Sequence, residues 1–163
     1  MTALREFAFA GLLLAGLAGC SQQAAEQVAD TSPSAETAES GLAVIPVTVT
    51  TGEGTHTFRT EVADTPEAQR RGMMFRTEMA PDEAMLFPYA EADIRSFWMR
   101  NTVLPLDIVF IAEDGSIINI ADGVPYNEVS VLSEAPAIAV LELAGGRAEE
   151  LGIGPGDTVQ WQN

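Results

Sequence analysis

Arginine side chains are concentrated in one part of this sequence, where they could bind an anionic group. A guanidinium group binds a carboxylate or a phosphate through two parallel hydrogen bonds. The chain has no lysine, and five of its arginines lie within one segment: Arg70, Arg71, Arg76, Arg95 and Arg100. The alternative, which we favour, is that they pair with acidic residues of the same segment, namely Glu67, Glu78, Asp82, Glu83, Glu91 and Asp93.

The stretch from Ser96 to Asp107 combines aromatic, amide, basic and acidic side chains. Asp107 interrupts an apolar strand, so its carboxylate points to solvent or is buried beside a partner, because an unpaired buried charge costs several kcal/mol. We expect that partner to be an arginine. Two interpretations stay open: the stretch ties strands together, or it forms a ligand groove with the 71–76 segment. The groove hypothesis assigns six binding residues: Arg71, Arg76, Trp98, Arg100, Asn101 and Asp107.

Two further chemistries can be assigned to particular side chains. Asp107 and Glu142 are the candidate carboxylates of a small hydrolase, whose two carboxyl groups must lie about 5–10 Å apart. A run of methionines could bind Cu(I), which prefers thioether ligands, although methionine beside aromatic rings is more commonly a core filler. These methionines are Met73, Met74, Met79, Met85 and Met99. His56, the single histidine, is expected to be an exposed strand residue, so we expect no Ser–His–Asp triad. We assign no catalytic residue, metal or cofactor.

The composition excludes several classes of protein. Twenty-four acidic residues against eight arginines give a net charge of −16, which repels phosphate backbones and argues against nucleic-acid binding and against electrostatic docking on anionic lipid. One cysteine and one histidine exclude a disulfide scaffold and a multi-thiolate or poly-histidine metal site. With 47% apolar residues, the chain can still bury a hydrophobic core.

The N-terminus has the features of an export signal. Residues 7–18 form an apolar run that is too short to span a bilayer, which takes about 20 residues, but has the length of a secretory h-region. The run ends in Leu17-Ala18-Gly19-Cys20, which resembles the bacterial lipobox. The resemblance implies a signal peptide over residues 1–19, cleavage before Cys20 and acylation of its thiol. Ser21 replaces the Asp that retains enterobacterial lipoproteins in the inner membrane, so we expect an outer-membrane lipoprotein that faces the periplasm.

The remaining sequence predicts a tether and one folded domain. Residues 20–41 contain the lipidated cysteine and a stretch rich in Ala, Gln, Glu and Ser, which cannot bury enough apolar surface to offset its ordering entropy and should be a disordered tether. Residues 42–163 contain seven or eight short strand patterns and short helical patterns that include residues 66–72 and 147–151. We expect an α+β, mostly β domain: a compact antiparallel or mixed β-barrel-like fold with two or three short helices.

Several blocks of this domain occur in a familiar order. The most specific is Phe97-Trp98-Met99-Arg100-Asn101-Thr102, and Arg71–Arg76, Leu104–Phe110 and Val140–Leu143 accompany it. Over about residues 45–162 the chain closely resembles the bacterial and archaeal domain-of-unknown-function family 192. The resemblance implies a compact, often exported, β-rich domain and brings no established activity. This sequence departs from the family pattern at three positions: Met73 for Leu, Arg100 for Lys and Ala84 for Gly.

These observations together favour a membrane-anchored envelope lipoprotein with a binding or accessory domain. Its expected partners are the membrane, through lipid on Cys20, and either a small anionic or carbohydrate ligand or an envelope protein. The carboxylate-dependent hydrolase and the Cu(I)-binding protein stay as alternatives.

Overall fold

The computed structural model describes residues 36–162, and its main feature is one large mixed β-sheet. The predicted signal peptide, Cys20 and most of the predicted tether lie outside the described residues. Within the described range, no helix is long and apolar enough to cross a membrane. The elements follow in the order β1 Glu36–Thr37, β2 Ala43–Thr50, β3 Thr55–Val62, α1 Pro66–Arg71, β4 Glu83–Asp93, β5 Ser96–Phe97, β6 Leu106–Ile111, β7 Ile117–Gly123, β8 Val131–Leu132, β9 Ala137–Ala144, α2 Arg147–Glu150 and β10 Thr158–Trp161.

The large sheet has the strand order β1-β2-β3-β4-β9-β6-β7, with β10 pairing on β2, while β5 and β8 form a separate two-stranded sheet. The pairing of β3 with β4 is parallel, and the other ladders are antiparallel. A parallel pair needs a crossover connection, and α1 lies in that connection. The prediction of an α+β, mostly β domain with short helices is therefore confirmed.

The barrel-like part of that prediction is not confirmed, because the sheet is not closed. β10 completes a ladder with β2, but it meets the start of β7 only through an isolated bridge between Ser116 and Thr158. A barrel requires a staggered ladder around its whole circumference, and a single bridge does not provide one.

Two hydrophobic cores lie on opposite faces of the sheet, because successive side chains of a strand alternate between faces. On β4, Leu86 belongs to the first core and Phe87 to the second. On β6, Val109 belongs to the first core and Ile108 to the second. The central strands are thus mostly apolar on both faces, which accounts for their hydrophobic runs, interrupted by Asp107 on β6 and Glu142 on β9.

The ordered domain begins earlier than the predicted boundary at residue 42. Residues 36–41 belong to the predicted tether, yet Glu36 and Thr37 pair with β2. A side-chain hydrogen bond of 2.6 Å joins Arg59 to Glu36, and the Ser40 hydroxyl donates to Glu61. Arg59 and Glu61 lie more than 20 residues from Glu36 and Ser40 in sequence, so local composition gives no sign of these two side-chain contacts.

Candidate functional site

The six predicted site residues do not converge on one pocket. Arg71 and Arg76 line a groove beside α1. Trp98, Arg100 and Asn101 belong to the loop between β5 and β6. Asp107 lies within β6 and is buried.

Asp107 holds the start of α2 in place. Its Oδ1 accepts the N–H of Gly146 at 2.9 Å, and its Oδ2 accepts the N–H of Ala148 at 2.7 Å. The first N–H groups of a helix have no intrahelical acceptor, and Gly146 at the N-cap has no side chain to supply one. The expected arginine partner is therefore replaced by two backbone amides, and Asp107 is a structural contact rather than part of a groove.

The carboxylates proposed for a hydrolase face apart. Asp107 pairs across the sheet with Leu143, whereas its neighbour Ile108 pairs with Glu142. Directly paired residues share a face and successive residues alternate, so Asp107 and Glu142 project from opposite faces of the sheet. They cannot act together on one glycosidic bond.

A groove of about 860 Å³, which we call the arginine groove, lies between residues 38–42, β3 and the 65–78 segment. Its volume falls within the range of small-molecule sites, about 300–1,000 Å³. The charged residues that line it are Arg59, Arg71, Arg76, Glu39, Glu61, Glu67, Glu78 and Glu83.

Arg76 forms a bidentate ion pair with Glu61 in the floor of the arginine groove. Both Nη–Oε distances are 2.6 Å. Burial raises the pKa of Glu61, but hydrogen bonds from Arg76 and Ser40 outweigh burial and leave that pKa below its ordinary value. The Glu61 hydrogen bond raises the pKa of Arg76. Because a guanidinium has five N–H donors, Arg76 keeps three that have no protein partner within residues 36–162.

The other arginines differ in the acidic or carbonyl groups that they contact. Arg59 binds Glu36 and Glu83, and Arg95 hydrogen-bonds to the carbonyl of Ala137. Arg71 is exposed and forms no ion pair with any described residue. The favoured pairing with acids of the same segment thus fails for Arg76, whose partner Glu61 lies outside that segment. Within the groove, Arg71 and the spare donors of Arg76 are therefore the cationic groups that a ligand could contact.

Glu142 is buried on the same face of the sheet as the Arg76–Glu61 pair. It pairs with Met85 on one side and Ile108 on the other, and its Oε2 has no hydrogen-bond partner within the described chain. Burial raises the pKa of Glu142 to about 8, against the opposing charge of Arg76. The Glu142 carboxyl is therefore protonated at neutral pH and acts as a polar defect in an apolar core.

Three loops meet beside the arginine groove and carry exposed aromatic rings. The N–H of Phe75 donates to the carbonyl of Asn101 at 2.9 Å, and the N–H of Tyr126 donates to the carbonyl of Thr102 at 3.0 Å. The guanidinium of Arg100 lies 5.5 Å from the centre of the Trp98 ring. The predicted contact between the 71–76 and 96–107 segments therefore exists, but at this surface rather than around Asp107.

Three of the candidate copper-binding methionines are buried, and the single histidine is partly buried. Met73, Met85 and Met99 are buried in the second core, which is the core-filling arrangement. No group of three or more His, Cys, Asp or Glu side chains in the described part of the chain could hold a metal ion. His56 is partly buried rather than exposed, and its Nε2 has no partner among the described residues.

The mixed, open β-sheet and its two short helices define a small, mostly β domain of the α+β class. The chain belongs to the family DUF192, described as an uncharacterized ACR, whose profile matches residues 47–161. This confirms the family predicted from the sequence blocks. A search of curated proteins finds no match.

Two solved structures are similar to the chain. One is a protein of unknown function from Novosphingobium aromaticivorans DSM 12444, with 47% identity, a TM-score of 0.77, and coverage of 80% of this chain and 94% of that chain. The other is a protein from Sinorhizobium meliloti 1021 for which a role as a transcription regulator has been suggested. It has 41% identity, a TM-score of 0.71, and coverage of 74% of this chain and 95% of that chain.

Proposed function

We propose that this chain is a lipid-anchored envelope protein whose domain binds a small carboxylate-bearing ligand in the arginine groove. One observation carries the proposal: half-buried Arg76 is held by Glu61 and, among residues 36–162, has three N–H donors without a partner, in a groove where Arg71 also forms no ion pair with a described residue. A guanidinium that is already oriented loses little entropy when it binds a carboxylate.

The remaining charges of the groove limit the ligand class. Glu39, Glu67 and Glu78 also line it and would repel a polyanion. A molecule with one carboxylate and an otherwise neutral or cationic body fits this distribution, such as a sugar acid or a zwitterionic peptide. Transcription regulation, suggested for the Sinorhizobium relative, is not extended to this chain, because its net charge of −16 opposes binding to nucleic acid.

The lipobox-like Leu17–Cys20 segment supports the proposed envelope location. Acylation of Cys20 would anchor the chain, and the residues between Cys20 and β1 would let the groove reach a ligand near the membrane. Metabolic labelling with an alkyne-bearing fatty acid tests this part: we expect a labelled protein in the membrane fraction, and no label on the Cys20→Ala variant. Equal labelling of that variant contradicts the anchor without bearing on the groove.

Calorimetric titration of the purified full-length chain tests the groove. The probes are D-glucuronate and alanyl-alanine, with glucose and alanyl-alanine amide as the matched molecules that lack a carboxylate. We expect a carboxylate-bearing probe to bind with measurable heat, and its matched molecule without a carboxylate to bind at least about tenfold more weakly. This difference corresponds to the loss of a charge-assisted hydrogen bond of about 1.5–3 kcal/mol.

Variants locate the binding. Arg71→Gln and Arg76→Gln should each weaken binding at least about tenfold. Arg70→Gln is the matched control, because Arg70 neighbours Arg71 on α1 but does not line the groove. Equal losses at all three positions, or no binding of either carboxylate, contradict the proposed function.

A further inference from the structure

The exposed large apolar side chains of the described domain are confined to one surface. They occur in three segments of the chain, 72–77, 94–104 and 124–132, which we together call the aromatic loop surface. Its exposed side chains are Phe75, Ile94, Trp98, Val103, Val124, Tyr126, Val129 and Leu132. Scattered apolar residues need no explanation, whereas a contiguous group indicates an interaction surface.

The three segments are held together by backbone hydrogen bonds. Segment 72–77 binds 94–104 through Phe75 and Asn101, and 94–104 binds 124–132 through Tyr126 and Thr102. β5 also pairs with β8. The exposed side chains therefore belong to one fixed surface rather than to independent loops.

Three residues of this surface have a left-handed backbone conformation, and two of them are aromatic. The three non-glycine residues with positive φ in the described chain all lie on it: Phe75 at 67°, Asn101 at 56° and Tyr126 at 60°. Asparagine tolerates this conformation, but aromatic residues rarely adopt it. Strain of this kind persists mainly at sites where it serves binding or catalysis. Phe75 and Tyr126 are 68% and 63% exposed, so burial in this domain does not explain their type.

The three segments of the aromatic loop surface contain more basic than acidic residues, unlike the chain as a whole. They contain Arg76, Arg95 and Arg100 and a single acidic residue, Glu128, whereas the whole chain has 24 acids and a net charge of −16. Arg76 is already paired with Glu61, whereas Arg100 forms no ion pair within the described chain and lies over Trp98. The surface is thus apolar, aromatic and locally basic.

We propose that the aromatic loop surface docks on a bilayer interface that contains anionic headgroups. Trp and Tyr are the side chains that concentrate at membrane–water interfaces, where an apolar ring with a polar edge is stable. Arg100 adds attraction to an anionic headgroup at contact distance. Repulsion by the acidic remainder of the domain is weakened, because charges beyond about 8 Å are largely screened at physiological ionic strength.

This inference rests on neither the acyl anchor nor the ligand of the arginine groove. Phe75 belongs to the aromatic loop surface and also lines the groove. Docking would therefore place the groove opening next to the membrane.

The two tryptophans provide an internal test. Trp98 is 46% exposed on the proposed surface, whereas Trp161 packs against the first core. The full-length chain is reconstituted into vesicles of phosphatidylethanolamine and phosphatidylglycerol, 3:1, that contain brominated lipids, which quench fluorescence only inside the bilayer. The Trp161→Phe variant reports Trp98, and the Trp98→Phe variant reports Trp161.

We expect at least about half of the Trp98 emission to be quenched, with under a tenth of the Trp161 emission lost. Replacing phosphatidylglycerol by phosphatidylcholine should lower Trp98 quenching at least twofold. Similar quenching of both tryptophans, or none at Trp98, overturns the proposal; quenching that does not change with phosphatidylcholine overturns its anionic part.

Matched variants in the Trp161→Phe background show whether the neighbouring rings contribute. Phe75→Asn with Tyr126→Asn removes both rings, and asparagine accepts the left-handed backbone, so the loops should keep their shape. We expect Trp98 quenching to fall at least twofold in this variant and to be unchanged in Thr57→Asn, an exposed position on β3. Equal quenching in all three chains overturns the docking surface.

Discussion

Glu61 and Glu142 flank Met85 in one row across three neighbouring strands, but only Glu61 is hydrogen-bonded to an arginine. Paired residues share a face, so both carboxyl groups project toward the second core, separated by two strand spacings, about 10 Å. Arg76 bonds to Glu61 directly and acts on Glu142 only through its charge. Burial raises the pKa of Glu142, which the charge of Arg76 opposes only in part, whereas at Glu61 the hydrogen bonds from Arg76 and Ser40 outweigh burial and lower the pKa.

The raised pKa of Glu142 predicts that the domain loses stability as the pH rises from mildly acidic to mildly alkaline values. The folded chain holds the Glu142 proton up to about pH 8, whereas the unfolded chain releases it near 4.5. Because the folded state binds more protons in this range, the free energy of unfolding falls as the pH rises from 4.5 through 8. At about 1.4 kcal/mol per pKa unit, the loss by pH 9 is a few kcal/mol.

Denaturant unfolding of the Glu142→Gln variant at several pH values measures this loss. Glutamine cannot ionise, so the variant should overtake the unmodified chain in stability between pH 5 and pH 9. Glu149→Gln, at an exposed position on α2, serves as the control and should follow the unmodified chain. Parallel stability curves for Glu142→Gln and the unmodified chain contradict a protonated Glu142.

The Glu61–Arg76 pair predicts strong coupling in a double-mutant cycle. Removing one partner leaves the other poorly solvated, so Arg76→Gln or Glu61→Gln alone should lower the free energy of unfolding by about 2–3 kcal/mol. The double variant should lose less than the sum, with a coupling energy of about 1–2 kcal/mol. The exposed Arg147–Glu150 pair is the comparison and should couple by less than about 1 kcal/mol.

The same pair predicts the response to acid. The lowered pKa of Glu61 means that its stabilising contribution is complete above its unfolded value of about 4.5 and is lost as the pH falls through the folded value. Glu61→Gln should therefore flatten the acid limb of the stability curve below pH 4.5. An unchanged acid limb would mean that protonation of other carboxylates causes the loss of stability in acid.

Sequence reasoning located the strands because their patterns are local. The hairpin around Glu113-Asp114-Gly115 links β6 to β7, and the Asp64-Thr65-Pro66 start signal precedes α1, where the Thr65 side chain accepts the N–H of Ala68. Such signals need only neighbouring residues. Residues 81–82 form a turn, and β4 begins at Glu83 because Glu83 pairs with Arg59 of β3.

The candidate site was harder to predict because its contacts are distant in sequence. Pairing of Asp107 with the start of α2, and of Arg76 with Glu61, depends on strand register, which one sequence does not reveal. The sequence contains part of the evidence for the structural role of Asp107. Gly146 precedes a short helix and has no side chain to cap it, so the first N–H groups of that helix need an acceptor from another element. The position of Glu142 on an otherwise apolar strand is the sequence feature that indicates its raised pKa.

The hydrogen bonds of Asp107 predict a stability role without a ligand role. Asp107→Ala leaves the N–H groups of Gly146 and Ala148 without acceptors, so the free energy of unfolding should fall by about 2–3 kcal/mol. Asp122→Ala is the matched control, since Asp122 pairs with Asp107 on β7 but is exposed, and its effect should be within about 0.5 kcal/mol. Loss of carboxylate binding in a folded Asp107→Ala chain would return Asp107 to the site.

The left-handed backbone at Tyr126 predicts a difference between two replacements of similar burial. Asparagine accepts a φ of 60°, whereas valine is strained there because its branched Cβ meets the backbone. Tyr126→Val should therefore be less stable than Tyr126→Asn by at least about 1 kcal/mol in denaturant unfolding, although valine is the more apolar residue. Thr57, an exposed residue of β3, provides the control, since valine there should be at least as stable as asparagine. The same order at both positions would mean that residue 126 is not held in a left-handed conformation, and the aromatic loop surface would lose one of its fixed points.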